Sequence, residues 1–268
     1  MAPPQADLQT RVLKTVKHPQ FLWFIGHVMT LVGSILFWIS AISFKSTRYS
    51  YIAAFLGACI SYGVVVYKSF GIPQLNMAFA QRLVADENFQ YLLLAFFWLT
   101  SKPILFATIP FLVFSLFHCL GYIRTVVFPT FFPNNPSANG SAQASGQASP
   151  AQNVTAKLSQ QMKNFTDKNY GPAMQFVSYI EVVGIMGRLI LGALTFRSSL
   201  MAPVVFAHFL RFRYFLSTYT RAAFHDVATR LDRVMLPPTA KVPPVVGQVY
   251  STIKGLIVRY GQSVVQQR

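Results

Sequence analysis

Acidic residues are scarce in this 268-residue sequence. It contains seven Asp and Glu against 23 Lys and Arg, which gives a formal net charge of +16 and a pI near 10.2. Charged residues of both signs make up only 11% of the chain, whereas soluble domains carry about 25%. Together with a hydrophobic content of 53%, this predicts an integral membrane protein. The positive balance favours an anionic partner, and the apolar content favours anionic lipid over nucleic acid.

Cysteine is almost absent, which excludes a disulfide framework. Cys59 and Cys119 both lie in apolar runs, where a free thiol behaves as a small hydrophobe. His118 and Cys119 are adjacent, so they would point roughly 100° apart on a helix and cannot share a metal. We interpret them as packed among helices, with His118 hydrogen-bonded across to a neighbour. The sequence also lacks HExxH, CxxC, P-loop, GxGxxG and GxSxG motifs, so it predicts no metal, no cofactor and no enzyme.

Long apolar runs are abundant, and they predict an all-α, polytopic helical membrane protein with transmembrane hairpins and a C-terminal amphipathic helix. We expect no cleaved secretory signal, because residues 1–20 are polar and the first apolar run stays as a span. The predicted order is a cytosolic N-terminal segment (1–20), a membrane region (21–128), a disordered polar linker (129–171), a second membrane region (172–216), a basic amphipathic segment (217–236), a Pro-rich spacer (237–244) and an amphipathic tail (245–268).

The first two apolar runs, within residues 21–67, are joined by the short turn KSTRYS and therefore predict a hairpin. Basic residues precede the first run without an acid nearby, which places the N-terminus in the cytosol. In the second run Ala53, Gly57 and Ser61 recur at every fourth position. Small side chains at this spacing predict a helix-packing face in lipid.

The remainder of the first membrane region is interrupted. Residues 71–88 mix apolar and polar side chains at helical spacing and predict a cytosolic or interfacial helix. Residues 89–128 would be about 60 Å long as one helix, twice the hydrocarbon core, so they must break. Lys102-Pro103 is the natural position, because proline removes a backbone donor and disfavours helical geometry before it.

The linker is rich in Pro, Asn, Ser, Gly and Gln, and we expect it to be disordered because it cannot bury enough apolar surface. All three apolar blocks are expected to enter and leave on the cytosolic side, which leaves the C-terminus in the cytosol. The sequons at Asn139, Asn153 and Asn164 should then remain unmodified.

Glu181 and Arg188 stand out in the second membrane region, because ionisable residues within a span are costly. They lie seven residues apart on one helix face, which predicts a mutual pairing, direct or through water or a lipid head group; a transport pathway is the alternative. Arg211, Arg213 and Arg221 follow among aromatic residues and are predicted to contact lipid head groups, with nucleic acid the less favoured ligand.

The tail has an apolar stripe at i, i+3, i+4 and i+7 spacing and contains no acidic residue, a pattern that favours an anionic membrane interface. The alternative is that the stripe packs on the protein's own membrane body. The predicted membrane-binding residues are Val246, Val249, Tyr250, Ile253, Lys254, Leu256, Ile257, Arg259, Tyr260 and Val264.

Residues 89–127 resemble the transmembrane protein 33 family, also called the Krüppel-homologue-2 family. The matching features are Tyr91-Leu92-Leu93, Pro103, Pro110, Phe114-Ser115-Leu116 followed by His118, and Tyr122; a second match is FLRFRY with Phe209, Leu210, Arg213 and Tyr214, followed by Arg221 and Phe224. The resemblance implies an integral protein of the endoplasmic reticulum and nuclear envelope without known enzymatic chemistry. It also implies association with nuclear pore complexes, as in fungal members, and a link to reticulon-type proteins that shape tubules.

The functional hypothesis is a protein that shapes or senses membrane curvature and supports tubule structure and the assembly or distribution of nuclear pore complexes. Its predicted partners are anionic lipids, reticulon-type proteins and nucleoporins, and homo-oligomerisation is left open. The alternative is a polytopic transporter or channel that uses Glu181 and Arg188.

Overall fold

A computed structural model describes residues 7–45, 48–133 and 150–262. Within these ranges the chain is helical and contains no strand, which confirms the predicted all-α class. The helices are α1 (Leu8–Lys17), α2 (Pro19–Ile42), α3 (Arg48–Phe70), α4 (Met77–Val84), α5 (Glu87–Thr100), α6 (Thr108–Tyr122), α7 (Phe128–Phe131), α8 (Pro150–Tyr179), α9 (Met186–Leu194), α10 (Met201–Leu216), α11 (Thr218–Met235) and α12 (Pro244–Gln262). A 3₁₀ turn precedes α6, and π-helical stretches follow α6 and α8.

Four helical stretches are long and apolar enough to cross a membrane, as expected of a polytopic protein. They are Pro19–Ile42, Arg48–Phe70, Leu105–Phe131 and Asn153–Leu194. Internal contacts divide the chain into two compact units, residues 1–180 and 181–268.

In the first unit α2 and α3 form a tight hairpin because small residues face each other. A Cβ atom on Gly57 would lie 2.5 Å from the carbonyl oxygen of Gly26, so neither helix can carry a larger side chain at this contact. Hydrogen bonds reinforce the approach: the Ser61 hydroxyl donates to the carbonyl oxygen of Trp23 at 3.0 Å, and the Thr30 hydroxyl donates to that of Ala54 at 3.1 Å. Close backbone contact of this kind drives helix association in lipid.

Helix α6 runs antiparallel to α2. Near the end of α2 the Trp38 indole donates to the Thr108 hydroxyl at 3.0 Å, and Thr108 is the first residue of α6. Near the start of α2 the Phe24 ring stacks on Tyr122, the last residue of α6, with ring centroids 4.3 Å apart. The beginning of α6 therefore lies at the level where α2 ends.

Helix α5 completes an antiparallel four-helix bundle with α2, α3 and α6. Tyr91, near its start, stacks on Tyr62 in the second half of α3, with ring centroids 5.7 Å apart. After Thr100 the non-helical residues 101–104, which include Pro103, lead into the 3₁₀ turn before α6. Because α6 starts at the far end of the bundle, α5, which has 14 residues, and the link 101–107 together carry the chain to that end. Up-and-down connectivity with a short link is typical of such bundles.

The chain leaves this bundle at the end where it entered. The hydroxyls of Thr15 in α1 and Thr130 in α7 are 3.3 Å apart. Helix α8 then packs on α6, where Phe117 contacts Phe165 and Tyr170 with ring centroids 6.4 and 5.4 Å away.

Two predicted segments differ from the structure. The helix expected over 71–88 is confined to α4, which Asn76 caps by accepting a hydrogen bond from the backbone N–H of Phe79 at 2.7 Å. The linker expected to be disordered over 129–171 is helical from Pro150 onward, and its residues 134–149 lie outside the described ranges. The prediction of disorder relied on the overall polarity of this segment and overlooked three apolar residues at helical spacing, Val154, Leu158 and Phe165. The last of these, Phe165, contacts Phe117.

In the second unit α9 ends at Leu194, and a turn containing Phe196 at φ 53° leads to α10, which packs on α9. Helix α11 begins after Ser217, whose side chain accepts a hydrogen bond from the backbone N–H of Thr220 at 3.3 Å. Helix α12 starts at Pro244, directly after the Pro-rich segment, and lies against α11.

Candidate membrane-interface site

Helix α12 is held on α11 through one polar edge. The Tyr250 hydroxyl donates to Oδ1 of Asp232 at 2.7 Å, and the Lys254 ammonium lies 2.8 and 2.6 Å from the two carboxylate oxygens. Tyr250 and Lys254 are four residues apart and therefore share a helix face. Gly247 permits the close approach, since a Cβ atom there would lie 2.6 Å from the carbonyl oxygen of Met235.

Burial and hydrogen bonding determine the protonation states of Asp232 and Tyr250 in this contact. Hydrogen bonds from Lys254 and then Tyr250 hold the pKa of Asp232 below its usual value of 3.8. Burial and the hydrogen bond to Asp232 raise the pKa of Tyr250 to about 12. At neutral pH the carboxylate is therefore ionised and the phenol retains the proton that it donates.

A second contact holds the C-terminal part of α12 on α10. The Tyr260 hydroxyl lies 3.1 Å from Nδ1 of His208, and the Arg211 guanidinium lies over the Tyr260 ring, 4.7 Å from its centroid. A cation over an aromatic face is attracted by the ring quadrupole. Arg211, which the sequence assigns to a lipid head group, thus contacts the tail helix.

The aliphatic part of the apolar stripe of α12 remains accessible beside these contacts, whereas its two tyrosines, Tyr250 and Tyr260, take part in them. Its aliphatic members Val246, Val249, Ile253, Leu256 and Ile257 are between 43% and 59% exposed. The basic Arg259 is exposed as well, whereas Val264 lies outside the described residues. The side chains that hold α12 on α10 and α11 are mainly polar, so the aliphatic part of the stripe is left accessible.

The predicted direct pairing of Glu181 with Arg188 is wrong, because the carboxylate lies beside Arg213 instead. Oε2 of Glu181 and Nε of Arg213 are 4.0 Å apart, and both side chains are buried. Arg188 is exposed. Seven residues on one helix separate two positions by about 10.5 Å, whereas a residue on the packed neighbouring helix α10 reaches the carboxylate directly.

This pairing also corrects the assignment of Arg213 to a lipid head group. Arg221 does remain exposed, and its guanidinium donates to the carbonyl oxygen of Phe215 at 3.1 Å. A sequence pattern alone could not separate the two arginines, because both follow the same apolar run.

Of the predicted helix-packing residues, Gly57 and Ser61 lie against α2, whereas Ala53 is half-buried and the neighbouring Ala54 is buried. The complementary surface on α2 is formed by Gly26, Thr30 and Gly33. Sequence reasoning missed it, although small residues at positions i, i+4 and i+7 carry the same signal.

His118 is exposed at the side of the first bundle, with its ring 4.6 Å from the ring of His27 and 5.2 Å from that of Trp23. His27 is buried, and its Nδ1 lies 3.0 Å from the Ser115 hydroxyl oxygen. No prediction was made for His27, although a titratable ring inside an apolar run was a signal of the same kind as Glu181.

Comparison with known proteins assigns the chain to a family. Residues 2–263 match the family described as Transmembrane protein 33/Nucleoporin POM33. Tetra-spanning protein 1 of Schizosaccharomyces pombe is 34% identical over 96% of this chain and 89% of its own length. Nucleoporin POM33 of Chaetomium thermophilum is 32% identical over 94% and 90%, and the pore and endoplasmic reticulum protein of 33 kDa of Saccharomyces cerevisiae is 24% identical over 95% and 94%.

No solved structure matches the chain significantly. The family match covers nearly the whole sequence, including both the first helical bundle and the tail helix. The chain therefore belongs to the Transmembrane protein 33/Nucleoporin POM33 family.

Proposed function

We propose that this protein shapes or senses curvature in the endoplasmic reticulum and nuclear envelope, and that it thereby supports tubule structure and the assembly or distribution of nuclear pore complexes. The observation that carries the proposal is the accessibility of the aliphatic side chains of α12. Polar contacts hold this helix on α10 and α11, while its aliphatic stripe stays accessible. A helix fixed in this way presents an apolar wedge to the head-group region of a membrane.

The names of the relatives support the location. They refer to a nucleoporin and to pore and endoplasmic reticulum membrane proteins. We accordingly propose nucleoporins as protein partners. Reticulon-type proteins are proposed from the family resemblance alone, and anionic lipid is the proposed partner of the tail.

The apolar stripe supplies most of the proposed membrane affinity. Each of its five aliphatic side chains is about half-buried already, so full insertion contributes roughly 1 kcal/mol per side chain. A basic residue near an anionic surface contributes about the same. Lys254 is paired with Asp232, however, which leaves Arg259 as the exposed basic residue among the described positions of the predicted set. The aliphatic stripe therefore outweighs the charge.

The proposal is tested with the full-length protein in giant vesicles from which membrane nanotubes are pulled. The wild type should be enriched on the tube relative to the vesicle. Ile253→Asp with Ile257→Asp should abolish the enrichment, because two charges would enter the apolar stripe.

The matched control is Gln248→Asp with Ser251→Asp, which adds the same charge at exposed polar positions of α12. This control should retain most of the enrichment. Equal behaviour of the two double variants would show that net charge, and not the apolar stripe, determines the distribution.

The transporter alternative rests on Glu181 and Arg188. Glu181 lies beside Arg213 in a buried pair, which accounts for a carboxylate within an apolar helix without an ion pathway. We therefore favour a structural role for this carboxylate.

A further inference from the structure

The bundle of α2, α3, α5 and α6 contains a second feature suited to a lipid, at the end where α2 begins. A pocket of about 310 Å³ opens there between the helices. Gln20, Lys68 and Asn88 lie at its mouth, because they stand near the start of α2, the end of α3 and the start of α5. Ends of membrane-crossing helices lie at the level of the lipid head groups.

The deeper part of the pocket is lined by His27, Tyr62 and His118. His27 is seven residues beyond Gln20 on α2, which places it about 10.5 Å further into the bundle. The His27 and His118 rings are 4.6 Å apart, and Trp23 contacts both, with ring centroids 4.7 and 5.2 Å away. His27 is already bonded to Ser115, whereas His118 is the exposed ring of the pair.

The lining carries polar groups suited to the head of a glycerophospholipid. A basic side chain and two amides lie at the mouth and imidazole rings lie deeper, while Val64 and Val65, between Tyr62 and Lys68 on α3, form an apolar wall between these two levels. None of the described lining residues is acidic, so an anion would meet no carboxylate there. The phosphate of such a lipid would lie at the mouth, its glycerol against the valines, and its ester carbonyls at the imidazole level.

The geometry points to a glycerophospholipid site in this pocket, where Lys68 binds the lipid phosphate and an imidazole N–H of His118 donates to an ester carbonyl. This site is independent of α12 and of the proposed role in curvature. A protein that fails to prefer nanotubes could still bind one lipid here, and the reverse is equally possible.

The test uses native mass spectrometry of the full-length protein in detergent, titrated with diester phosphatidic acid. The wild type should retain one lipid, and Lys68→Gln should lower its retention about fivefold, as expected for one phosphate contact at a membrane surface. Lys45→Gln, at the other end of the α2–α3 hairpin, is the control and should retain lipid like the wild type. Equal losses in Lys68→Gln and Lys45→Gln would overturn the site in favour of general charge attraction.

A second titration with a diether analogue, which lacks the ester carbonyls, tests the role of His118. The wild type should prefer the diester by about two- to tenfold, the value of one hydrogen bond. His118→Phe should remove that preference, and His118→Gln, which keeps a donor, should preserve part of it. Thermal unfolding of each variant shows whether it is folded.

Equal retention of both lipids by the wild type and by His118→Phe would overturn the assignment of His118. Displacement of the lipid by millimolar inorganic phosphate would show that the pocket binds free phosphate and would overturn the lipid proposal. His27 is not varied, because its hydrogen bond to Ser115 belongs to the packed interior of the bundle.

Discussion

At the residue scale, Asp232 connects α11 to α12 and makes this contact sensitive to pH. Its pKa is lower in the folded protein than the usual 3.8, because Lys254 and Tyr250 hydrogen-bond to the ionised form. The stabilisation is therefore complete above the usual pKa and is lost as pH falls through the lowered value. Hydrogen exchange of the α12 amides, corrected for intrinsic pH dependence, should show weaker protection below pH 3.8 than at pH 7.

The same contact predicts the effect of Asp232→Asn. Its side chains are about one-third exposed, so after solvent screening we expect a loss of about 1 kcal/mol and roughly fivefold faster exchange in α12. Asp226→Asn is the control, since Asp226 pairs with Arg230 four residues away within α11. Faster α12 exchange in the control would contradict the assigned role of Asp232.

Glu181 should matter for stability far more than Arg188. Removing one partner of a buried ion pair leaves the other charge unpaired, which typically costs about 3–5 kcal/mol. Glu181→Ala should therefore lower the thermal unfolding temperature in detergent strongly, whereas Arg188→Gln should change stability by no more than about 0.5 kcal/mol. A strong effect of Arg188→Gln would return it to the role that the sequence suggested.

These residues show the limit of inference from one sequence. A buried acidic side chain in an apolar helix requires a cationic partner, and the sequence correctly predicts that Glu181 has one. It could not identify Arg213, because the choice depends on how α10 packs against the helix that carries Glu181.

At the scale of elements, the α2–α3 contact predicts opposite results for two glycines of one helix. Gly57→Ala places a Cβ atom 2.5 Å from the carbonyl oxygen of Gly26, so the helices must separate, at a cost of about 1–3 kcal/mol. Gly63→Ala meets nothing within 4 Å and should be neutral or stabilising by up to about 1 kcal/mol. Thermal unfolding in detergent measures both, and similar destabilisation would contradict the packing face.

The ends of a helix could be predicted from the sequence where a nearby proline determines them. Pro103 lies in the non-helical link after α5, and the tail helix begins at the end of the Pro-rich segment. Helix α8 was missed because composition suggested disorder, whereas contacts with α6 favour an ordered helix. The contact of α12 with α11 could not be predicted from the sequence either, because Asp232 and Lys254 are 22 residues apart.

At the scale of the whole molecule, the antiparallel bundle predicts the membrane topology around residue 139. Because α1 and α7 lie at the same end of the bundle, the chain after α7 should be on the side of the N-terminus. In sealed microsomes an impermeant maleimide should label Asp7→Cys and Asn139→Cys but not Lys45→Cys, in a background where Cys59 and Cys119 are replaced by serine.

The native sequons provide an independent check of that topology. Asn139, Asn153 and Asn164 should carry no glycan, because glycosylation takes place in the lumen. A mass shift on endoglycosidase treatment that maps to Asn139 would mean that α5 does not cross and that the bundle crosses three times.

The short helix α5 has a consequence for the surrounding bilayer. Its 14 residues span about 21 Å, whereas a typical hydrocarbon core is about 30 Å thick. Such a hydrophobic mismatch is relieved when nearby lipids thin, and the energy required is smallest where the membrane is already thin. The endoplasmic reticulum bilayer, at about 27 Å, is several ångströms thinner than the plasma membrane. The length of this helix is thus better matched to the endoplasmic reticulum and the continuous nuclear envelope than to the plasma membrane.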